Sequence, residues 1–157
     1  MDPVDSEPDF GVLLAMAYGA FVDRLHRHMA EAGYPGFSTR TGFVLRVLDG
    51  GALSLRELAD RLEMSSPAAL KIIDAMVRDG YVERTSAPED RRVRAVTPTE
   101  RGYAALAAAR RLHAILEEEL VEMVGADDAA AVRRGLTAMT DRAEVIPRVL
   151  RRSTAQV

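Results

Sequence analysis

"SLRELADRLEMSSPAALKIIDAMVRDGYVERTSAPEDRRVRAVTPTERG", residues 54–102, decides the fold. Ser54 is followed three residues on by Glu57, the pattern of a capping box in which each side chain bonds the other residue's backbone N–H. A short helix therefore opens at "LRELADRLE". After Met64 and Ser65, Ser66 reads as the next N-cap and Pro67 as the first helical residue, where a missing N–H costs nothing. That second helix runs to Gly80 with Ala69, Ile72, Ile73 and Met76 turned inward. Two short helices joined by a few residues form a helix-turn-helix. Beyond Gly80 the pattern becomes extended: Tyr81-Val82 starts one run, Val93 to Thr97 forms another, and "SAPED" between them has the Ser, Pro and Asp that turns favour. A β-hairpin directly behind a helix-turn-helix makes a winged helix, with the wing at about 81–97.

The wing is charged. Residues 84–94 hold Arg84, Arg91, Arg92 and Arg94 against Glu89 and Asp90, a local excess of two positive charges in a chain of formal net charge -3. Along an extended strand, Arg92 and Arg94 share one face while Val93 and Ala95 share the other. Two guanidiniums on a narrow ribbon suit the DNA minor groove, ~6 Å wide, whose negative potential in A·T-rich tracts attracts arginine. Asp90, two residues before Arg92, is placed to hold that guanidinium in a fork before DNA arrives. The competing reading is a solvated turn with internal salt bridges, which is what most charge runs are. Its position behind a helix-turn-helix favours the wing.

Outward from this segment, Thr39 to Leu48 reads as a helix carrying Phe43, Val44, Val47 and Leu48, stopped by Gly50-Gly51. Before it, Asp9 to Glu31 repeats apolar residues at spacings of three and four (Phe10, Leu14, Ala17, Phe21, Leu25), widened by Leu13, Met16 and Ala20. Helix apolar over so much of its circumference must be covered on more than one side. After the wing, Thr97-Pro98-Thr99-Glu100 starts a long helix of about 27 residues, or ~40 Å. Leu106, Ala109, His113, Leu116, Leu120 and Met123 share one face of it, and "VGADDA" closes it. A last helix carries Val132, Leu136, Met139, Ala143, Ile146 and Leu150, with a kink expected at Pro147. The two chain ends read as frayed.

Composition narrows the function classes. The chain has 157 residues, 48% hydrophobic and 29% charged, the balance of one folded domain. The absence of cysteine excludes disulfides, thiolate nucleophiles, thiol redox sensing and cysteine-based zinc sites. No apolar run approaches the ~18 residues of a membrane span, and the acidic start "MDPVDSEPDF" is unlike a signal peptide, so the expectation is a cytoplasmic protein. There is no G-x-S-x-G, no phosphate-cradling glycine loop and no H-E-x-x-H, so the chain reads as a non-enzyme without cofactor or metal.

From Arg40 to Gly102 the chain resembles the MarR family of transcriptional regulators. The family's wing pattern is Asp-x-Arg, five residues, then Leu-Thr, and Asp90, Arg92 and Pro98-Thr99 fall in that register. "LRELADRLEMSS", "KIIDAMVRDGYVER" and "DRRVRAVTPTERG" cover most of the winged helix. The resemblance implies a mainly α (α+β) fold, with residues 39–97 binding double-stranded DNA and the long helices at 9–33 and 98–152 joining two copies into a homodimer. It also implies a small, often anionic aromatic effector between the long helices and the winged region.

Two departures bear on the reading. Pro98 replaces the usual leucine, so the long helix is expected to start at Thr97, with Pro98 and Glu100 completing a capping box. The recognition helix carries Pro67, Ala68 and Leu70 where polar residues are common in the family, leaving Ser65, Ser66 and Lys71 as its polar candidates. Ala and Leu offer bases only an apolar contact to a thymine methyl. Leu70 has two readings: it faces DNA, or with Ile73 and Val77 it forms the core stripe.

The remaining candidates are weaker. His26 and His28 point to different faces, a poor ligand geometry, while Asp23 and His26 share a face and could pair. His113, in an apolar stripe, reads as an interior or interface residue, with the effector pocket as its functional alternative. Glu117 to Glu119 reads as solvent-facing. Asp127 and Asp128 suit the positive end of a helix dipole. The function expected is a ligand-responsive, homodimeric DNA-binding repressor on a near-palindromic operator. Its rival is a protein-interaction module that kept the winged helix without reading bases.

Overall fold

The computed structural model describes residues 7–86 and 94–141. Helix α1 (Phe10–Glu31) leads through a turn to α2 (Thr39–Leu48), and β1 (Leu53–Ser54) precedes α3 (Leu55–Arg61) and α4 (Ser66–Arg78). Strands β2 (Val82–Ser86) and β3 (Arg94–Pro98) follow, then α5 (Glu100–Val124) and α6 (Ala126–Asp141). The three strands form an antiparallel sheet in the order β1-β3-β2, with Arg84 opposite Val96 and Ser86 opposite Arg94. This is the expected mainly helical winged helix with long flanking helices.

Local chemistry sets the boundaries. Ser54 and Glu57 form the expected box: Glu57 N donates to Ser54 Oγ (3.2 Å), and Ser54 N donates to Glu57 Oε2 (2.8 Å). The Ser54 hydroxyl also donates to Glu57 Oε2 (2.7 Å), and this bond first, then the one from Ser54 N, holds the Glu57 carboxyl below its ordinary pKa. A second box opens α2, where Thr41 N donates to Ser38 Oγ and Ser38 N to Thr41 Oγ1. Helix α4 starts one residue earlier than expected. Its cap is Ser65, whose Oγ accepts from Ala68 N at 3.3 Å, so Ser66 and not Pro67 is the first helical residue. Proline is tolerated at the second position because the first N–H groups of a helix have no intrahelical partner.

The start of α5 differs more. Thr97 and Pro98 are the last residues of β3, paired with Glu83 and Val82, so the sheet takes the residues that the capping pattern would have used. Thr99 is the cap instead. Its Oγ1 accepts from Gly102 N (3.1 Å) and donates to the Gly80 carbonyl (2.6 Å), while its own N–H bonds the Tyr81 carbonyl. A Cβ on Gly102 would lie 2.0 Å from that same carbonyl oxygen, so only glycine lets the helix descend so closely onto the corner. Strand β1 was not anticipated; two residues are too short to show alternation, and it exists through pairing of Leu53 with Val96 and Ser54 with Ala95.

One core joins α1, α2, α3, α4, the sheet and the first half of α5. Leu45, Leu48, Leu58, Ile73, Tyr81, Leu106 and Leu112 lie at its centre, each almost wholly buried. The buried stripe of α5 is Ala105, Leu106, Ala108, Ala109 and Leu112, ending near Leu116, whereas Met123 is 73% exposed. The expected stripe therefore loses its cover halfway along. Among the described side chains of α6, only Ala129 is buried. The residues expected to continue α6, from Ala143 to Leu150 and including Pro147, lie outside the described residues. Asp127 and Asp128 occupy the first turn of α6 as expected. Glu117 and Glu119 do not simply face water: Glu117 pairs with Arg133 of α6 and Glu119 with Arg24 of α1, bracing α5 against both neighbours. No hydrogen bond joins Asp23 to His26 among the described residues. None of the described helices is long and apolar enough to cross a membrane.

Candidate nucleic-acid interface

Helix α4 divides cleanly into faces. Ala69, Ile72, Ile73 and Met76 are buried, while Ser65, Ser66, Pro67, Leu70, Lys71 and Asp74 are exposed and Ala68 is half-buried. Leu70, at 41% exposure, belongs to the outer face, which settles its two readings: Ile73 anchors the core without it. The outer face thus offers apolar Pro67, Ala68 and Leu70 beside polar Ser66, Lys71 and Asp74. The chemistry of such a surface is that of apolar contact to a thymine methyl and of a few donors and acceptors for base edges.

Asp74 was missed in the sequence, where it reads as one more polar spacer of an amphipathic helix. In the structure its Oδ1 accepts from Nη2 of Arg84 on β2, so a carboxylate on the recognition helix holds a guanidinium of the wing. The two residues are ten apart, across a helix-to-strand corner that no periodicity records. Arg84 is therefore engaged within the chain. Arg94 is exposed at the start of β3, with Ala95 buried behind it, as the alternation requires. The other wing residues singled out, Asp90, Arg91 and Arg92, lie outside the described residues.

A stitch joins the winged region to the long helices. Arg101 of α5 stacks over the rings of Tyr34 and Tyr81, its guanidinium carbon 5.0 and 5.3 Å from their centroids. It donates from Nε to the Asp79 carbonyl (3.2 Å) and from Nη2 to the Gly33 carbonyl (3.1 Å). One side chain thereby ties together the α1–α2 link, the end of α4 and the start of α5.

Between α1, α2 and α5 lies a cavity of about 420 Å³ with Tyr18, Phe21, Phe43, Arg46 and His113 in its wall. His113 is not interior to the chain: it is exposed, its ring 5.5 Å from that of Phe21 and tilted by 33°. Partial burial, reinforced by the Arg46 charge, lowers its pKa below the ordinary imidazole value. The wall is aromatic with one guanidinium, a lining that suits a flat anionic molecule. No group of three or more His, Asp or Glu able to hold a metal occurs among the described residues.

Residues 36–93 match the model of the MarR family. A comparison with the curated proteins finds no match. Solved structures with the same architecture include Streptococcus pneumoniae FabT in complex with DNA, 17% identical at a TM-score of 0.73, covering 85% of this chain and 94% of that one. The transcriptional repressor CouR bound to a 23-mer DNA duplex is 26% identical at a TM-score of 0.66, covering 86% and 99%. A mutant MarR from E. coli complexed with operator DNA is 23% identical at 0.64, covering 82% and 91%. Residues 36–93 thus match the MarR family of winged helix-turn-helix proteins, and the flanking helices of the chain have the same order and fold as those of the solved structures.

Proposed function

We propose that the chain regulates transcription as a homodimer, each α4 entering a major groove and each wing placing Arg92 and Arg94 in the flanking minor groove. The observation that carries this reading is the outer face of α4, which exposes Pro67, Leu70, Lys71 and Asp74 beside the wing strands while the inner face secures the fold. That FabT, CouR and MarR were each solved with DNA supports it. Ser65, Ser66 and Ala68 border the same groove contact, with Arg91 and Asp90 on the wing. Half-sites ~10 bp apart, or a multiple of that, would make a near-palindromic operator.

The long helices at 9–33 and 98–152 would join the two copies. Phe10, Val12, Leu13 and Met16 of α1 and Val132, Leu136 and Met139 of α6 are large apolar residues exposed in the single chain, more than a monomer ordinarily leaves to water. A small aromatic anion in the cavity beside Arg46 and His113 would change the relative position of the two recognition helices, and binding would weaken to the extent that it favours one dimer shape.

The test is titration of the protein against DNA from upstream of its own coding region at two salt concentrations, with Arg92→Ala in parallel. Tight, salt-sensitive binding at one site, weakened in the variant, is expected. Binding no better than to random DNA would leave the alternative, an interaction module that uses exposed Leu70 to dock a protein.

A further inference from the structure

Beside the recognition helix, away from the wing, is a concavity of about 430 Å³ between the start of α2 and one flank of α4. Arg40 of α2 and Lys71 and Arg78 of α4 all line it, with Asp79 the one carboxylate in its wall. The ion pairs among the described residues engage Arg24, Arg84, Arg110 and Arg133, and none of the three cations of the concavity has such a partner. Asp79 does not neutralise them. The hydroxyls of Ser38 and Thr41 in the same wall already bond each other, so they leave the cations as the binding groups.

Resting on the function proposed above, we propose that this concavity is an anion site for a phosphodiester of the DNA backbone, with Arg40, Lys71 and Arg78 as its ligands. The placement follows from helix geometry. At 3.6 residues per turn, Ala68, Lys71 and Ala75 form one flank of α4 and Leu70 and Val77 the other, with Pro67 and Asp74 between them. A helix with its side chains is ~10–12 Å across and nearly fills a major groove ~12 Å wide, so its two flanks meet the two sugar–phosphate strands. The Asp74–Arg84 pair points toward the wing, and the basic concavity occupies the opposite flank. The chain then grips both strands of one groove: the wing holds one and the concavity the other. Arginine forks at 40 and 78 match phosphate oxygens, while Lys71 adds a point charge at the groove edge.

The experiment measures DNA affinity of the full chain at four salt concentrations, on the upstream DNA and on a random duplex of equal length, for wild type, Arg40→Ala, Lys71→Ala and Arg78→Gln. Each substitution is expected to lower the slope of log K against log salt by about one and to weaken binding to both duplexes by the same factor, roughly three- to tenfold. Arg78 is exposed, so Arg78→Gln keeps the test open if Arg40→Ala disturbs folding. A parallel titration with inorganic phosphate, without DNA, separates the sources of the anion. Phosphate uptake lost in Arg78→Gln, with the DNA slopes unchanged, would assign the site to a free anion and overturn the proposal. Unchanged slopes with no phosphate uptake overturn it too, while normal wild-type DNA binding leaves the regulatory reading intact. Failure of the wild type to bind either duplex removes both.

Discussion

The two ends of this molecule are built from similar amounts of apolar sequence and bury very different fractions of it. From Phe37 to Leu112 the large apolar residues close on one another: Leu45, Leu48 and Leu58 have no exposed surface. At the far end Met16 is 63% exposed and Leu136 46% exposed, although α1 and α6 also repeat apolar residues at spacings of three and four. Regular amphipathic spacing thus says that a face will be covered, not by what. The winged region supplies its own cover, and the helical end would be completed by the homodimer proposed above.

The largest expected effect tests the closed end. Gly102→Ala forces a methyl against the Tyr81 carbonyl and should cost about 3 kcal/mol or more, read as a fall in the urea midpoint. Gly19→Ala in α1 meets nothing within the chain and should gain up to ~1 kcal/mol from helix propensity. A large loss from Gly19→Ala would instead show a second chain pressed against that glycine, which sharpens the comparison. Leu45→Ala should cost about 2–5 kcal/mol at any protein concentration. Leu136→Glu should leave the winged core folded but shift sedimentation from dimer to monomer; an unchanged sedimentation coefficient would break the contrast drawn here.

Smaller effects probe the seam between the two regions. Asp74→Ala and Arg84→Ala each remove half of an exposed pair worth at most ~1 kcal/mol to the fold. Both should nevertheless weaken DNA binding, and the exchange of both residues (Asp74→Arg with Arg84→Asp) should restore it. An Arg84→Ala variant that lowers the salt slope by about one would show that Arg84 contacts phosphate and not Asp74. The smallest effect is that of pH. His113 has a lowered pKa, so the folded chain binds fewer protons than the unfolded chain just below the ordinary imidazole value of ~6.5. The stability His113 allows is complete above that value and declines as pH falls through its folded pKa. At fixed protein concentration the thermal midpoint should therefore drop on acidification from pH 7, and less so in His113→Gln.

Much of the winged region was legible because its signals are local. The Ser54–Glu57 box, the bounds of α2 and the inward set of α4 all rest on residues within one or two turns of each other. What escaped depends on residues far apart in sequence. Pro98 reads as part of a helix cap because the pairing of Thr97 with Glu83 and of Pro98 with Val82 is visible only once the sheet closes. Serines 65 and 66 offer equivalent caps, and the turn before them decides between the two. Glu119 read as solvated because its partner, Arg24, is 95 residues away. The site was legible where it is a motif and illegible where it is a juxtaposition. Asp74 on Arg84, and Arg40 in one concavity with Arg78, belong to the second kind, while Asp90, Arg91 and Arg92 of the wing motif lie outside the described residues.

The 13 residues of α4 keep two kinds of information on opposite sides of one cylinder. Ile72, Ile73 and Met76 specify that the domain folds, whereas Pro67, Leu70 and Lys71 touch nothing that the fold needs. Exchanging the outer residues leaves the core unchanged, so on the reading proposed above DNA preference would drift through single substitutions without passing through unstable intermediates. Duplicated copies of such a chain can part company in what they bind long before they differ in how they stand.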